Sequence, residues 1–333
     1  MGLARVGETA AAGASDTQLT TGTQNMVSVV MPAYNRGYII AESIASVLRQ
    51  TYRDFELIII DDGSQDDTRQ VVSRFTDPRI RYLRHEQNRG YSAAYNTGLA
   101  QAGGEFVANL DSDDLWKPER LAKALDFLSR HPEADIVFTD FEKYSGKELT
   151  PSHVRRWCPR TSALLAARGW PKETIFTQKE MHLILLQEFP LVLQSTLMRR
   201  AARERTGFLD ESWVSAGDWN FILRSSAENR FGYIDEPLSV LRLQADATHH
   251  LHGVEGHALC LRMLRDEMRR APDAEARHAA TLGYSYHLRQ LSRALLERGK
   301  RWKACQALLR GFFVTGRFEF LARAAYALFQ GRK

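Results

Sequence analysis

The sequence predicts an α/β fold: a doubly wound, mostly parallel, Rossmann-like sheet with a C-terminal helical extension. Three observations lead there. Between Met26 and Phe141, short apolar runs alternate with segments of helical periodicity, the pattern of strand–helix–strand units. Polar clusters follow three of the apolar runs, at Ala33–Asn35, Asp61–Asp62 and Asp111–Asp113. That collects them at the carboxyl edge of one sheet, where such folds bind ligands. After His252 the strand pattern ceases and the chain reads as helical, punctuated by Gly299 and Gly316.

Each element has its own signal. The β-branched run Met26–Met31 reads as a buried parallel strand, ended by Pro32. Ile39, Ile40, Ile44, Val47 and Leu48 recur at helical spacing over Tyr38–Gln50. Phe55–Ile60 is a second strand, and Asp66 or Asp67 is placed to cap a helix carrying Val71, Val72 and Phe75. Ile80–Leu83 is a third strand. Asn88-Arg89-Gly90 turns into a helix through Leu99, and Glu105–Leu110 is a fourth strand. Pro118 opens a helix to about Arg130, and Ile136–Phe141 is a fifth strand. From Ser145 to Glu188 the pattern loosens into a variable segment with one helix near Lys179–Leu186 and with Trp157 and Trp170 exposed. Gln194–Met198 reads as a strand, Gly207–Glu211 as a turn and Gly217–Arg224 as a helix. Tyr233–Ile234 and Leu238–Leu243 return to the sheet. The expected organisation is a disordered tail (1–25), an α/β unit (26–245) with halves 26–144 and 145–245, and a helical region (246–333).

Composition narrows the function. A chain of 333 residues, 44% hydrophobic, buries a substantial core. Cys158, Cys260 and Cys305 are scattered and odd in number, which excludes a disulfide framework and a thiolate zinc site and fits a reducing compartment. The first residues lack the apolar core of a signal peptide, and no stretch nears the roughly 18 apolar residues of a spanning helix. The expectation is a cytoplasmic protein, at most at the inner face of a membrane. The net charge of +5 gathers toward the C-terminus.

The chemistry centres on Asp111-Ser112-Asp113-Asp114. Carboxylates this close repel unless a cation lies between them. At i and i+2 on an extended segment, Asp111 and Asp113 point to one side. Oxygen ligands with open positions suit Mg²⁺ or Mn²⁺. Asp114 stands apart as a capping or positioning residue for the helix that Pro118 opens.

The ordered motifs Val27–Asn35, Ile58–Asp66, Asn88-x-Gly90, Asn96-x-Gly98-Leu99 and Leu110-Asp111-x-Asp113-Asp114 resemble the family 2 glycosyltransferases of the GT-A fold, over roughly Met26–Leu243. The resemblance implies transfer of a sugar from a nucleotide-diphosphate donor, with inversion at the anomeric carbon, in glycan or surface polysaccharide synthesis. It places Pro32, Ala33, Tyr34 and Asn35 against the donor base and ribose. It assigns Asp61 to the base, and an acceptor-only carboxylate selects an imide N–H, which favours UDP-sugars. Arg89 or Arg84 reaches toward the diphosphate, Ser112 lines the donor site, Asp111 meets the ribose or a metal-bound water, and Asp113 holds the metal. Asp218 matches the general base that accepts the acceptor hydroxyl proton, with Gly217 where the family usually carries Glu. A helix-start carboxylate is expected to stay ionised. His249, His250 and His252 follow the last strand, and His249 is a minor candidate for the donor pocket or metal shell.

The implied partners are the nucleotide-sugar and a carbohydrate or lipid-linked acceptor, with no nucleic acid; the oligomeric state is left open. Trp302, Phe312, Phe313, Phe318 and Tyr326, interleaved with Arg310, Arg317 and Arg323, form either a basic amphipathic membrane surface or a hairpin packed on the α/β unit. A nucleotidyltransferase would carry a Gly-rich basic loop after the first strand, and a dinucleotide dehydrogenase Gly-x-Gly-x-x-Gly; Pro32–Asn35 is neither. A non-catalytic nucleotide-sugar scaffold or sensor would have lost Asp111, Asp113 or Asp218, and all three are present.

Overall fold

The computed structural model describes residues 25–213, 215–243 and 253–329. The expected tail and His249, His250 and His252 lie outside the described residues. The first half of the chain follows the alternation read from sequence: β1 (Val27–Ala33), α1 (Ile40–Leu48), β2 (Phe55–Asp61), α2 (Thr68–Val72), β3 (Ile80–Arg84), α3 (Tyr91–Gln101) and β4 (Phe106–Asn109). A two-residue strand β5 (Leu115–Trp116), helix α4 (Arg120–Arg130) and strand β6 (Ile136–Tyr144) complete it. Asp66, not Asp67, caps α2, accepting from the Thr68 backbone N–H at 3.0 Å.

β1 shows why these runs form central strands. All seven residues are buried. Val27, Val29 and Met31 enter a core with Ile40, Ile44 and Leu121, while Val30 enters the opposite core with Tyr95 and Phe221. A strand covered on both faces needs an unbroken apolar run.

The later segment is richer than its pattern indicates. In place of one helix it holds β7 (Leu149–Thr150), α5 (His153–Trp157), α6 (Pro159–Ala167), β8 (Glu173–Phe176) and α7 (Gln178–Leu185). These elements are two to nine residues long, too short for periodicity to register. Trp157 is exposed as expected, but Trp170 is half-buried beneath the Arg155 guanidinium, 3.8 Å from its ring. After β9 (Thr196–Arg199), helix α8 (Arg200–Thr206) was hidden because it buries only Ala202. Helix α9 (Gly217–Ser226) and strand β10 (Phe231–Arg242) follow.

The sheet runs β3-β2-β1-β4-β9-β6-β10-β5, with β7 on β6 and β8 on β10. β1 is parallel to β2 and β4, β2 to β3, and β6 to β10. β9 is antiparallel to both β4 and β6, so β6 and β10 point the same way as β1 and β4. Six strands, β1, β2, β3, β4, β6 and β10, therefore deliver their carboxyl ends to one edge. Insertion of β9 knits residues from both halves into one sheet.

Four helices follow: α10 (Val254–Arg270), α11 (Ala274–Glu297), α12 (Arg301–Thr315) and α13 (Glu319–Phe329). Their inner residues Leu264, Leu288, Leu308 and Phe320 share the core of Trp219 and Phe231. A Cβ at Gly283 would lie 1.9 Å from the Leu186 carbonyl, so only glycine lets α11 approach the end of α7 this closely.

Candidate active site

The chain leaves β4 at Asn109 and turns through Asp111–Asp114, closed by the Asp114 N–H donating to the Asp111 carbonyl at 3.0 Å. The Asp111 carboxylate accepts from the Tyr91 hydroxyl and from Asn109 Nδ2, each at 3.0 Å. Burial, and next the charge of Asp113, push the Asp111 carboxyl up to about 7. Asp113 is part-exposed, with Arg36 Nε 3.5 Å from its Oδ2. Ser112 is buried, and its carbonyl accepts from Ser43 Oγ at 2.9 Å.

Asp114 faces the other way. Its carboxylate accepts from Gln194 Nε2 and from the Arg242 backbone N–H at 2.8 Å. The Arg242 side chain returns to the Asp113 carbonyl, to Glu42 and to Ser43. Asp114 caps no helix, since α4 begins two turns of chain later without a side-chain cap. It fixes the acidic turn to the end of β10, a positioning role.

The residues expected to face a nucleotide gather at the ends of β1 and β2. Tyr34 is 42% exposed at the rim. Pro32 and Ala33 end β1 and are buried. Asn35 takes a left-handed backbone (φ 52°), its N–H donating to Ser64 Oγ at 2.9 Å and its Oδ1 accepting from the Gln65 N–H at 2.8 Å. Asp61 is fully buried. One oxygen accepts from the Ser64 N–H at 2.8 Å; the other accepts from the Tyr82 hydroxyl and lies 3.5 Å from Arg84 Nε. Asp62 builds the start of α3: it accepts from the Arg89 and Gly90 N–H groups at 2.9 and 2.8 Å and meets His85 Nδ1 at 2.7 Å. Arg89 is half exposed and 3.8 Å from Glu211.

Asp218 arrives from the far side. It is the second residue of α9, which follows Ala216 in a left-handed conformation (φ 57°). One carboxylate oxygen accepts from the Trp219 N–H at 2.8 Å. Burial raises its pKa despite the opposing helix-start N–H groups. Desolvation thus outweighs the helix-start hydrogen bonds, so the shift runs upward where the helix start alone would lower it. The charge of Asp218 is close enough to raise both Asp111 and Tyr91. The structure therefore brings Asp218 to the acidic turn from about a hundred residues away. Gly217 explains part of this approach: a Cβ there would stand 3.1 Å from Ser92 Oγ on α3, so the usual Glu would crowd that helix. Trp219 anchors the helix start next to Asp218, donating its indole N–H to the Leu185 carbonyl at 2.9 Å.

The donor set fits a hard divalent cation. Asp111 and Asp113 repel one another, Asp113 is partly open to solvent, and both offer carboxylate oxygen. Among the described residues no group of three or more His, Cys, Asp or Glu is disposed around a single metal position. Two carboxylates leave the other positions to water and substrate phosphates, as Mg²⁺ prefers.

Four residues here escaped sequence reading: Arg36, Tyr91, Gln194 and Arg242. The first two had an available signal, since each directly follows a recognised turn, Asn35 and Gly90. Gln194, in the 3-10 turn Leu193–Ser195 before β9, and Arg242, at the end of β10, reach the site through long-range packing, which no local pattern records.

Residues 28–207 match the family model described as glycosyl transferase family 2. The chain is 43% identical over 129 residues, 39% of its length and 51% of the relative's, to the UDP-Glc:alpha-D-GlcNAc-diphosphoundecaprenol beta-1,3-glucosyltransferase WfgD of Escherichia coli. It is 42% identical over 105 residues, 31% of its length and 42% of the relative's, to the putative teichuronic acid biosynthesis glycosyltransferase TuaG of Bacillus subtilis. The chain spans about half or less of the length of these curated relatives. Its fold is similar to S. aureus TarS in complex with UDP-GlcNAc (TM-score 0.60, 20% identity, covering 91% of this chain and 79% of that one). It is likewise similar to the mannosyltransferase PcManGT of Pyrobaculum calidifontis in complex with GDP-Man and Mn²⁺ (TM-score 0.55, 20% identity, 92% and 85%).

Proposed function

The chain belongs to glycosyl transferase family 2, and on that premise we propose an inverting, divalent-cation-dependent sugar transfer from a UDP-sugar to the hydroxyl of a lipid-linked glycan, in surface polysaccharide synthesis. The observation that carries the reading is that the start of α9, with Asp218, packs on Ser92 while the adjacent Tyr91 donates to Asp111 at 3.0 Å, which opposes a donor-side acid pair to one acceptor-side carboxylate. The lipid-linked acceptor is supported by the diphosphoundecaprenol substrate named for the Escherichia coli relative. Such an acceptor lies in a bilayer, so we place the transfer at a membrane surface.

In this mechanism Asp113, with Asp111 beside it, would hold the cation, which when bound would supply positive charge against the departing diphosphate. Asp111 is fixed by Tyr91 and Asn109, so it needs no reorganisation when the donor enters. The Pro32–Asn35 wall and Ser112 line the nucleotide. Asp61 reads an imide N–H in exchange for the Tyr82 hydroxyl. Arg89 turns from Glu211 to the diphosphate. Asp218 accepts the proton of the acceptor hydroxyl as its oxygen bonds to the anomeric carbon from the face opposite the leaving UDP. The raised pKa of Asp218 brings its basicity nearer neutrality, where proton transfer is better driven.

The test is a donor screen by calorimetry with Mn²⁺, across UDP-, GDP- and dTDP-sugars. UDP-sugars are expected to bind most tightly and to lose that affinity when the cation is chelated. Equal binding with and without cation, or a preference for GDP-sugars, would overturn the donor assignment.

A further inference from the structure

The C-terminal helices carry two apolar stripes, and among the described residues only one is packed inside the molecule. On α12, Ala304, Cys305, Leu308 and Gly311 are buried against α11 and α13. Trp302, Leu309 and Phe313 recur at i, i+7 and i+11, which sets them within one narrow wedge on the opposite side. They are 63%, 37% and 81% exposed. After Gly316 reverses the chain, Phe318 stands 75% exposed and continues the stripe: its ring is 5.3 Å from Phe312, which is 5.4 Å from Phe313. An aromatic ridge of this size on a soluble surface marks a contact site.

The charge around it selects the partner. Lys303 and Arg310 flank the ridge on α12, with Lys300, Arg301, Arg317 and Arg323 nearby. Glu319 is the sole acid among the described residues of α12 and α13, and it is already held by Arg289 and Arg317 at 3.4 and 3.3 Å. An interface between two copies would set these cations against each other. A surface of anionic phospholipid accepts both features at once, rings at the acyl boundary and cations among phosphates. No helix among the described residues is long and apolar enough to cross a membrane, so the contact is with one leaflet.

We propose that the outer face of α12 and the α12–α13 turn is a docking surface for an anionic bilayer, seated through Trp302, Phe313 and Phe318; its purpose, presenting the site to a lipid-linked acceptor, rests on the transferase reading above, while the binding itself does not. The test floats the full chain with phosphatidylcholine vesicles that contain one-third phosphatidylglycerol, against phosphatidylcholine alone, at low and high salt. Flotation is expected with the anionic vesicles only and is weakened by salt. Each aromatic-to-Ala change at 302, 313 or 318 is expected to lower vesicle affinity roughly tenfold, and the triple variant W302A/F313A/F318A to stay in the bottom fraction with an unchanged melting temperature. Absence of flotation, or flotation the triple variant retains, overturns the proposal. So does a wild-type dimer in lipid-free buffer that the triple variant dissolves, which assigns the ridge to self-association. Donor turnover with a water-soluble acceptor is measured on the same samples: its loss in wild type defeats the transferase reading and leaves the flotation result standing.

Discussion

Replacing Asp111 by Asn should make the metal-free protein more stable while disabling it. Asn keeps an oxygen where Tyr91 and Asn109 now donate, so the turn survives; what disappears is a charge that burial and Asp113 both oppose. The fold holds this carboxyl at about 7, against 3.8 for the free group. An acid raised on folding disfavours the folded state at high pH. Below the free value both states keep the proton and there is no penalty; above about 7 the penalty is complete. The shift corresponds to a ceiling of about 4 kcal/mol, and we expect roughly half of it because Asp111 is partly open to solvent. That is about 3 °C in melting temperature for a chain of this size. In EDTA the Asp111→Asn gain should be full near pH 8 and fall to about one third near pH 5, where wild-type Asp111 is already protonated in the fold. With Mn²⁺ and UDP-sugar the order should reverse, because only wild type gains from the ligand. A variant no more stable than wild type at pH 8, or equally stabilised at both pH values, would refute the idea that the acidic turn is strained by its own charge.

Asp218→Asn should lower turnover by about a hundredfold or more while leaving donor affinity unchanged, measured by steady-state kinetics beside calorimetry. Since burial raises Asp218, the wild-type rate should fall on acidification at a pH above the ordinary carboxylate range, and a profile flat down to that range sinks the assignment. Asp61→Asn should weaken UDP-sugar binding about tenfold and narrow the UDP-over-GDP preference, read by competition calorimetry. Asp114→Ala should destabilise by about 2 kcal/mol in chemical denaturation, because it strands Gln194 and the Arg242 N–H in the interior; an unchanged midpoint contradicts its positioning role.

The long elements were legible where a pattern covers the span: β1 and β2 as apolar runs, α1 and α3 as helices between turn residues; β10 was legible only as two pieces, because Asp235-Glu236-Pro237 interrupts it at register shifts. The acidic turn and the Asp218 helix start were legible for a related reason, since residue type and spacing carry that chemistry. Illegible were α5, α6, α8 and the two-residue strands, whose few buried side chains, such as Ala202 in α8, leave no periodic trace. The upward direction of the Asp218 shift was not legible, because helix-start geometry is visible in sequence and burial is not. The C-terminal segment was left between membrane contact and packing, and the structure places its apolar residues in both an inner stripe and an outer one.

The most direct measurement is the anomeric configuration of the product, by proton NMR, after reaction of an α-linked UDP-sugar with a diphospholipid-linked acceptor in Mn²⁺. The account predicts a β-linked product with one UDP released per transfer, absent in Asp218→Asn. An α-linked product, or UDP release without glycosylated acceptor, would contradict it.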